Sequence, residues 1–266
     1  ENVQIISSEL VSNGNFSQIG TEEVSNGNFS QEGSELVTNG DFATDSDWNN
    51  SVGNDWQIVN GKLILTTTSP NNINQGIGLV QNKFYKIVFT ISNTTLGGVR
   101  IRLGTGSFTS TYTDGTHTLY LQQTTTNDAF RFYANSSGVF NGSIDNVSVK
   151  EVGQDWILGS GWSIGDGVAL NSGGANFSDL TQLNTNITIG KNYKITYTVS
   201  DYVSGSFKFI MNSNTTAGLE RNADGTYTDY LTSAAPAYSF RTQGSGFNGS
   251  ITNISVKEVG QDWTFG

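Results

Sequence analysis

Short runs in which apolar and polar residues alternate one by one carry most of the pattern in this chain. In Lys83–Ser92, KFYKIVFTIS, Tyr85, Ile87, Phe89 and Ile91 fall on one side, the period of a strand with one buried face. KNYKITYTVS repeats it, with Tyr193, Ile195, Tyr197 and Val199 against Asn192, Lys194, Thr196 and Thr198. Val99, Ile101 and Leu103 alternate with Arg100 and Arg102, and Phe207, Phe209 and Met211 bracket Lys208. One face is core and the other is wet, as antiparallel sheets allow. Val59-Asn60-Gly61 predicts a hairpin, and Asp114-Gly115 and Asp224-Gly225 predict turns into strands. Near the end of each such series, Ile144, Val147 and Val149, and again Ile251, Ile254 and Val256, are spaced by three and then two. One extra residue restores the phase, which predicts a β-bulge at Asp145–Asn146 and another at Thr252–Asn253. Helical spacing is nearly absent.

The series are copies of each other. FNGSIDNVSVKEVGQDW, from Phe140 to Trp156, returns as FNGSITNISVKEVGQDW from Phe247 to Trp263, an offset of 107 residues. A smaller repeat fills the start: SELVSNGNFSQIG, TEEVSNGNFSQEG and SELVTNGDFATDS align Asn13, Asn26 and Asn39, a step of 13, and Phe16, Phe29 and Phe42. About eight or nine short strands per long repeat, joined by Gly- and Asn-rich turns, predict an antiparallel β-sandwich, a jelly roll. The expected fold class is therefore all-β, with two tandem jelly-roll domains preceded by a short-repeat arm. The boundaries read as 1–33 for the arm, 34–153 for the first domain and 154–266 for the second, with a stray strand at its C-terminal end. A 13-residue copy cannot close a core alone, so the arm is either an extended linker or a strand added to an adjacent subunit. The five tryptophans, Trp48, Trp56, Trp156, Trp162 and Trp263, cluster at the openings of units and read as core and joint packing.

Composition narrows the function. Only 14% of the 266 residues are charged, against ~25% in an average protein. The formal charge of −10 argues against nucleic-acid partners. There is no cysteine for disulfides or thiolate chemistry, and no apolar run long enough to span a bilayer. Catalysis is not expected: His117 is the one histidine, Tyr227 takes its place in the second repeat, and no nucleophile-elbow pattern accompanies it. Candidate glycan-binding residues are Arg100, Tyr120 and Arg131, aligned with Lys208, Tyr230 and Arg241, all on inferred strands. Their plain alternative is side chains whose stems cover sheet surface. Asn-x-Ser/Thr triplets such as those at Asn93, Asn135, Asn214 and Asn248 follow from a composition rich in those residues.

Three stretches carry a family likeness. Glu35–Phe42, ELVTNGDF, Gly142–Val149, GSIDNVSV, and the strand KFYKIVFTIS resemble carbohydrate-binding modules with the galactose-binding-like jelly roll. The tandem form, in which VKEVGQDW runs into the next opening, is similar to tail-fibre and structural proteins of bacteriophages and to extracellular proteins of bacteria. The resemblance implies a structural calcium in the first domain, held by Asp41 and Asp145, whereas Thr252 replaces the second aspartate in the other copy. It further implies a non-enzymatic structural or adhesion protein at a virion surface or outside the cell. Its partners would be other copies, other virion proteins or surface glycans. A subunit of a bacterial filament assembled by strand donation, and a carbohydrate-binding module of a polysaccharide-degrading enzyme, are the alternatives.

Overall fold

The computed structural model describes residues 11–15, 17–53, 55–65, 68, 71–173, 175–183, 186–211 and 216–263. Phe16, Asn214 and the end of the expected stray strand, Thr264–Gly266, lie outside them. The chain is all-β. Its strands are β1 (Ile19–Glu22), β2 (Glu32–Glu35), β3 (Asn49–Asn50), β4 (Trp56–Ile58), β5 (Leu63–Leu65) and β6 (Asn72–Gly76). Then come β7 (Phe84–Gly97), β8 (Val99–Leu103), β9 (Gly115–Gln122), β10 (Ala129–Ala134), β11 (Phe140–Val152) and β12 (Ile157–Leu158). The last six are β13 (Trp162–Gly165), β14 (Val168–Ser172), β15 (Asp179–Gln182), β16 (Asn192–Ile210), β17 (Gly225–Thr232) and β18 (Tyr238–Val259).

Two compact units form. The first comprises Ser30–Gln154 with Ile164–Asp166; the second takes the described residues up to Phe29, Asp155–Ser163 and those from Gly167 on. In the first unit, a six-stranded antiparallel sheet, β4-β5-β11-β7-β9 with β2 also on β11, faces a four-stranded sheet, β3-β6-β10-β8. Ile87, Phe89, Ile91, Ile144 and Val149 of one sheet and Ile73, Ile101, Phe130 and Phe132 of the other share one core. Alternation in the sequence thus becomes the two inner faces of a sandwich. In the second unit β16 and β18 run through both layers: their outer ends pair as Asn192↔Val259, and their inner ends as Ile210↔Ser239.

Both bulges are present. On β11 the register passes from Asp145↔Thr90 to Ser148↔Val88, three residues against two, and Asn146 takes φ +53°. On β18 Thr252↔Thr198 is followed by Ser255↔Thr196, with Asn253 at φ +52°. Each bulge turns a peptide group out of the ladder, and the short N-terminal copies catch it. Val147 N donates to Gly40 O over 2.8 Å, and Ile254 N donates to Gly27 O over 2.9 Å. A β-carbon on Gly40 would lie 2.0 Å from Val147 O, and one on Gly27 would lie 2.1 Å from Ile254 O. Backbone meets backbone there, so only glycine fits.

The copies are used in reverse order. The third supplies the first unit: β2 pairs with β11 at Lys150 and Val152, and Phe42 packs 5.3 Å from Trp48, whose Nε1 donates to Asn39 O. The second supplies the second unit: β1 pairs with β18 at Lys257 and Val259, and Phe29 packs 5.2 Å from Trp156, whose Nε1 donates to Asn26 O. Glutamates repeat the correspondence. Val149 N donates to Glu35 Oε1 and Val256 N donates to Glu22 Oε1, each over 2.8 Å. So β1 is a strand added within its own chain, and Trp48 and Trp156 anchor the added segments.

Candidate functional site

Alternation that buries Phe130, Phe132, Ile101 and Ile73 turns their neighbours outward, onto the exposed face of the first unit's four-stranded sheet. Register sets them in rows: Arg102 lies opposite Arg131 and Arg131 opposite Asn74; Arg100 lies opposite Tyr133 and Tyr133 opposite Asn72. The segment after β8 folds back along it, with Thr109 N donating to Ile101 O and Ile101 N to Thr109 Oγ1. This lays Phe108, 41% exposed, over the arginines. The Arg100 guanidinium carbon sits 4.2 Å from the Phe108 centroid, that of Arg102 4.9 Å, and Tyr133 meets the same ring edge-on at 4.9 Å. A shallow hollow beside Phe108 is lined by Thr109, Leu121, Gln122 and Thr124.

The guanidiniums are fixed by carbonyl groups. Arg100 Nε donates to Ala134 O, Arg102 Nε and Nη2 donate to Gly106 O and Thr105 O, and Arg131 Nη1 donates to Gly104 O. Among the described residues no carboxylate pairs with any of the three. Their positive charge is held in place by dipoles.

The second unit differs. Lys208 faces Arg241, whose Nε and Nη2 grip Asp179 Oδ1 and Oδ2 at 2.7 and 2.6 Å. These bonds raise the Arg241 pKa against the opposing effect of burial. Arg241 is not the counterpart of Arg131, as the shared Phe-Arg dipeptide suggested. Phe240 lies opposite Phe209 and Leu180 as Phe132 lies opposite Ile101 and Ile73, which puts Arg241 at the place of Tyr133 and Ser239 at that of Arg131. A strand repeats every two residues, so a match by one dipeptide slips by two without disturbing the inside-outside pattern. The pairing of Arg100 with Lys208 holds, because Val99 bridges Tyr112 as Phe207 bridges Arg221.

The two tyrosines stand elsewhere. Tyr120 lies opposite Lys86 and Tyr230 opposite Lys194, on strands β9 and β17, away from the arginine rows. Tyr120 covers Gly165 of its own unit, whereas Tyr230 is 66% exposed. Sequence reasoning missed Tyr133 and Asn72 and Asn74, and left Arg102 out of the site although its alternation with Arg100 already put it there. Phe108 sits in a loop and carries no periodic signal.

Asp41 and Asp145, the two residues expected to hold calcium, each bond within their own turn. Asp41 Oδ1 accepts from Ala43 N and Asp145 Oδ1 from Asn146 N. Among the described residues no three acidic, histidine or cysteine side chains converge. Asn15 makes the same turn bond as Asp41, accepting from Ser17 N over 3.1 Å, which requires no charge. His117 lies between Phe89 and Tyr112, and its Nε2 shares a 2.7 Å hydrogen bond with Thr113 O.

No protein-family profile and no curated protein matches this sequence. Among solved structures, the N-terminal CBM22-1–CBM22-2 tandem domain of Paenibacillus barcinonensis Xyn10C is matched over 86% of this chain and 99% of that one, with 9% identity and a TM-score of 0.30. A Paenibacillus xanthan lyase is matched over 81% of this chain and 25% of that one, at 14% identity and a TM-score of 0.26. The M60 catalytic domain with CBM51-1 and CBM51-2 of Clostridium perfringens ZmpB is matched over 74% and 34%, at 6% identity and a TM-score of 0.24.

Proposed function

We propose that the chain is a non-enzymatic adhesion protein whose first unit binds acidic glycans on the outer face of its four-stranded sheet. The observation that carries this reading is the group Arg100, Arg102 and Arg131 beside the Phe108–Tyr133 ring pair, with no carboxylate partner among the described residues. Sugar rings stack their C–H faces on aromatic rings and spend their hydroxyls on planar polar groups. Asn72 and Asn74 provide amides in the adjacent row. A guanidinium held in position takes a carboxylate or sulfate through two parallel hydrogen bonds, which selects acidic sugars over neutral ones.

The setting we assign, a fibre, appendage or decoration of a bacteriophage virion, rests on the tandem VKEVGQDW joint and its resemblance. A carbohydrate-binding module of a polysaccharide-degrading enzyme would use the same face and differ in what it is attached to. A filament assembled by strand donation is the weaker reading, since β1 is already bonded to β18 of its own chain.

The test is an array of uronate-containing, sulfated and neutral glycans probed with the purified chain. Retention of the acidic members, fading as salt rises, is expected. Equal retention of neutral glycans, or none of any class, overturns the proposal.

A further inference from the structure

We propose that the second unit carries a uronic-acid site of its own on the outer face of β16, β17 and β18. The sugar's carboxylate lies between Lys194 and Lys257, and its ring lies on Tyr230. This site shares a ligand class with the arginine face of the first unit but none of its residues, and stands or falls separately from it.

The first unit shows what such a lysine pair does. Lys86 lies opposite Lys150 as Lys194 lies opposite Lys257. Lys86 and Lys150 share one carboxylate: Lys86 Nζ donates to Glu32 Oε1 over 2.5 Å, and Lys150 Nζ to Glu32 Oε2 over 3.0 Å. The bonds from Lys86 and Lys150 hold the Glu32 carboxyl below its ordinary value, against the opposing effect of burial. Each oxygen takes one ammonium, so the pair is spaced for a single carboxylate. In the second unit Ile19 stands in the place of Glu32, opposite Val259 as Glu32 is opposite Val152. Both lysines keep their register, and the carboxylate between them is gone.

No other acid takes over that role. Among the described residues no carboxylate pairs with Lys194. Lys257 Nζ reaches Glu22 Oε2 only at 3.9 Å. Glu22 is committed to the bulge, accepting from Ser255 Oγ and Val256 N as Glu35 accepts from Ser148 Oγ and Val149 N. Lys194, Lys257, Thr196, Ser255 and Ile19 line a shallow hollow. Tyr230 stands in the lysine row, opposite Lys194, and is 66% exposed, whereas Tyr120 packs over Gly165. Thr196 replaces Val88 of the first unit, which adds a hydroxyl to the next row. Cross-strand neighbours have β-carbons about 5 Å apart, so one sugar reaches from the tyrosine ring to both ammoniums. A neutral sugar leaves the lysines unused, and a bare carboxylate leaves the ring unused; a uronic acid uses both.

Lysines are flexible point charges, so this site binds more weakly than fixed guanidiniums, and NMR is the suitable readout. The full chain is titrated with sodium glucuronate, sodium acetate and glucose. Glucuronate should shift Lys194, Thr196 and Lys257 saturably, acetate should bind them several-fold more weakly, and glucose should leave them unmoved. Ile19→Glu restores the missing carboxylate and should abolish the glucuronate shifts; Tyr230→Ala should weaken glucuronate to the level of acetate. Absence of shifts at the three residues, shifts that survive Ile19→Glu, or equal affinity for acetate and glucuronate each overturn the proposal. The Nε–H signals of Arg100, Arg102 and Arg131 report the first unit's face in the same spectra, so failure of one site is told apart from failure of the other.

Discussion

Where the first unit packs Phe89, Leu119 and Tyr112, the second holds Tyr197, Asp229 and Arg221 at the same register positions. Tyr197 Oη donates to Asp229 Oδ2 over 2.9 Å, Arg221 Nη2 to Asp229 Oδ1 over 2.5 Å, and Arg221 Nε to Tyr197 Oη over 3.2 Å. Outside, the contrast reverses. The first unit shows three arginines with no carboxylate partner among the described residues, and the second closes Arg241 on Asp179. Duplication has kept the backbone devices, the bulge, the Asn-Gly turn and the anchoring tryptophan, because each is tied to an unforgiving geometry. Side chains on the faces carry no such tie, and the two copies have taken different chemistries.

The backbone devices give the largest expected effects. Gly40→Val should destabilise the first unit alone and Gly27→Val the second alone, each by about 3 kcal/mol, since the backbone carbonyl at each bulge cannot yield. Two resolved calorimetric transitions would separate them. If either substitution melted both units together, the assignment of copies to units would fail.

Next come the buried groups. Asp229→Ala strands the Arg221 charge, with 14% of its side chain exposed, and should cost about 3–5 kcal/mol in urea unfolding. Replacing the set with its counterparts, as Tyr197→Phe, Asp229→Leu and Arg221→Tyr together, should instead be neutral or stabilising. A cost as large as that of the single change would show that the first unit's packing does not transfer.

Alkali should then divide the units. Tyr197 and Tyr238 stand where the first unit has Phe89 and Phe130. Burial pushes both hydroxyls far above the ordinary value of 10.0. A raised pKa means that the folded state keeps the proton, so this stability is complete below pH 10 and is lost as the pH rises beyond it. The loss is about 1.4 kcal/mol per pH unit for each tyrosine. Tyr85 gives the first unit a weaker dependence of the same sign. Alkaline titration followed by amide NMR should see the second unit unfold first; simultaneous loss would refute the assignment. Smallest is Asp179→Asn, which breaks a pair whose side chains are 25% and 27% exposed and which is worth about 1 kcal/mol in thermal melts. A drop of several kcal/mol would mean that this pair is structural.

Much of this was legible in the chain. Strict alternation in KFYKIVFTIS and the three-then-two spacing of Ile144, Val147 and Val149 place the core face and the bulge, because burial forces both patterns. The use of the arm was not legible. EGSE and IGTE carry too few apolar residues to name a partner strand, and only the bulge peptides, Trp48 and Trp156 reveal where they go. The site was half legible for a similar reason. Alternation says that Arg100, Arg102 and Arg131 face outward, but not that Tyr120 belongs to the other layer, nor that the loop carrying Phe108 folds onto the arginines. The dipeptide match of Arg131 to Arg241 failed because a two-residue slip costs nothing in pattern and everything in chemistry.

The most direct measurement is calorimetric titration of the chain and two variants with one uronate oligosaccharide. Arg102→Gln removes a charge from the first unit's face, and Lys208→Gln removes one from the second. Affinity should fall roughly tenfold or more for Arg102→Gln, the loss of one charge-assisted bond of about 1.5–3 kcal/mol, and stay unchanged for Lys208→Gln. Equal losses, or a loss confined to Lys208→Gln, would contradict a glycan site on the first unit's arginine face.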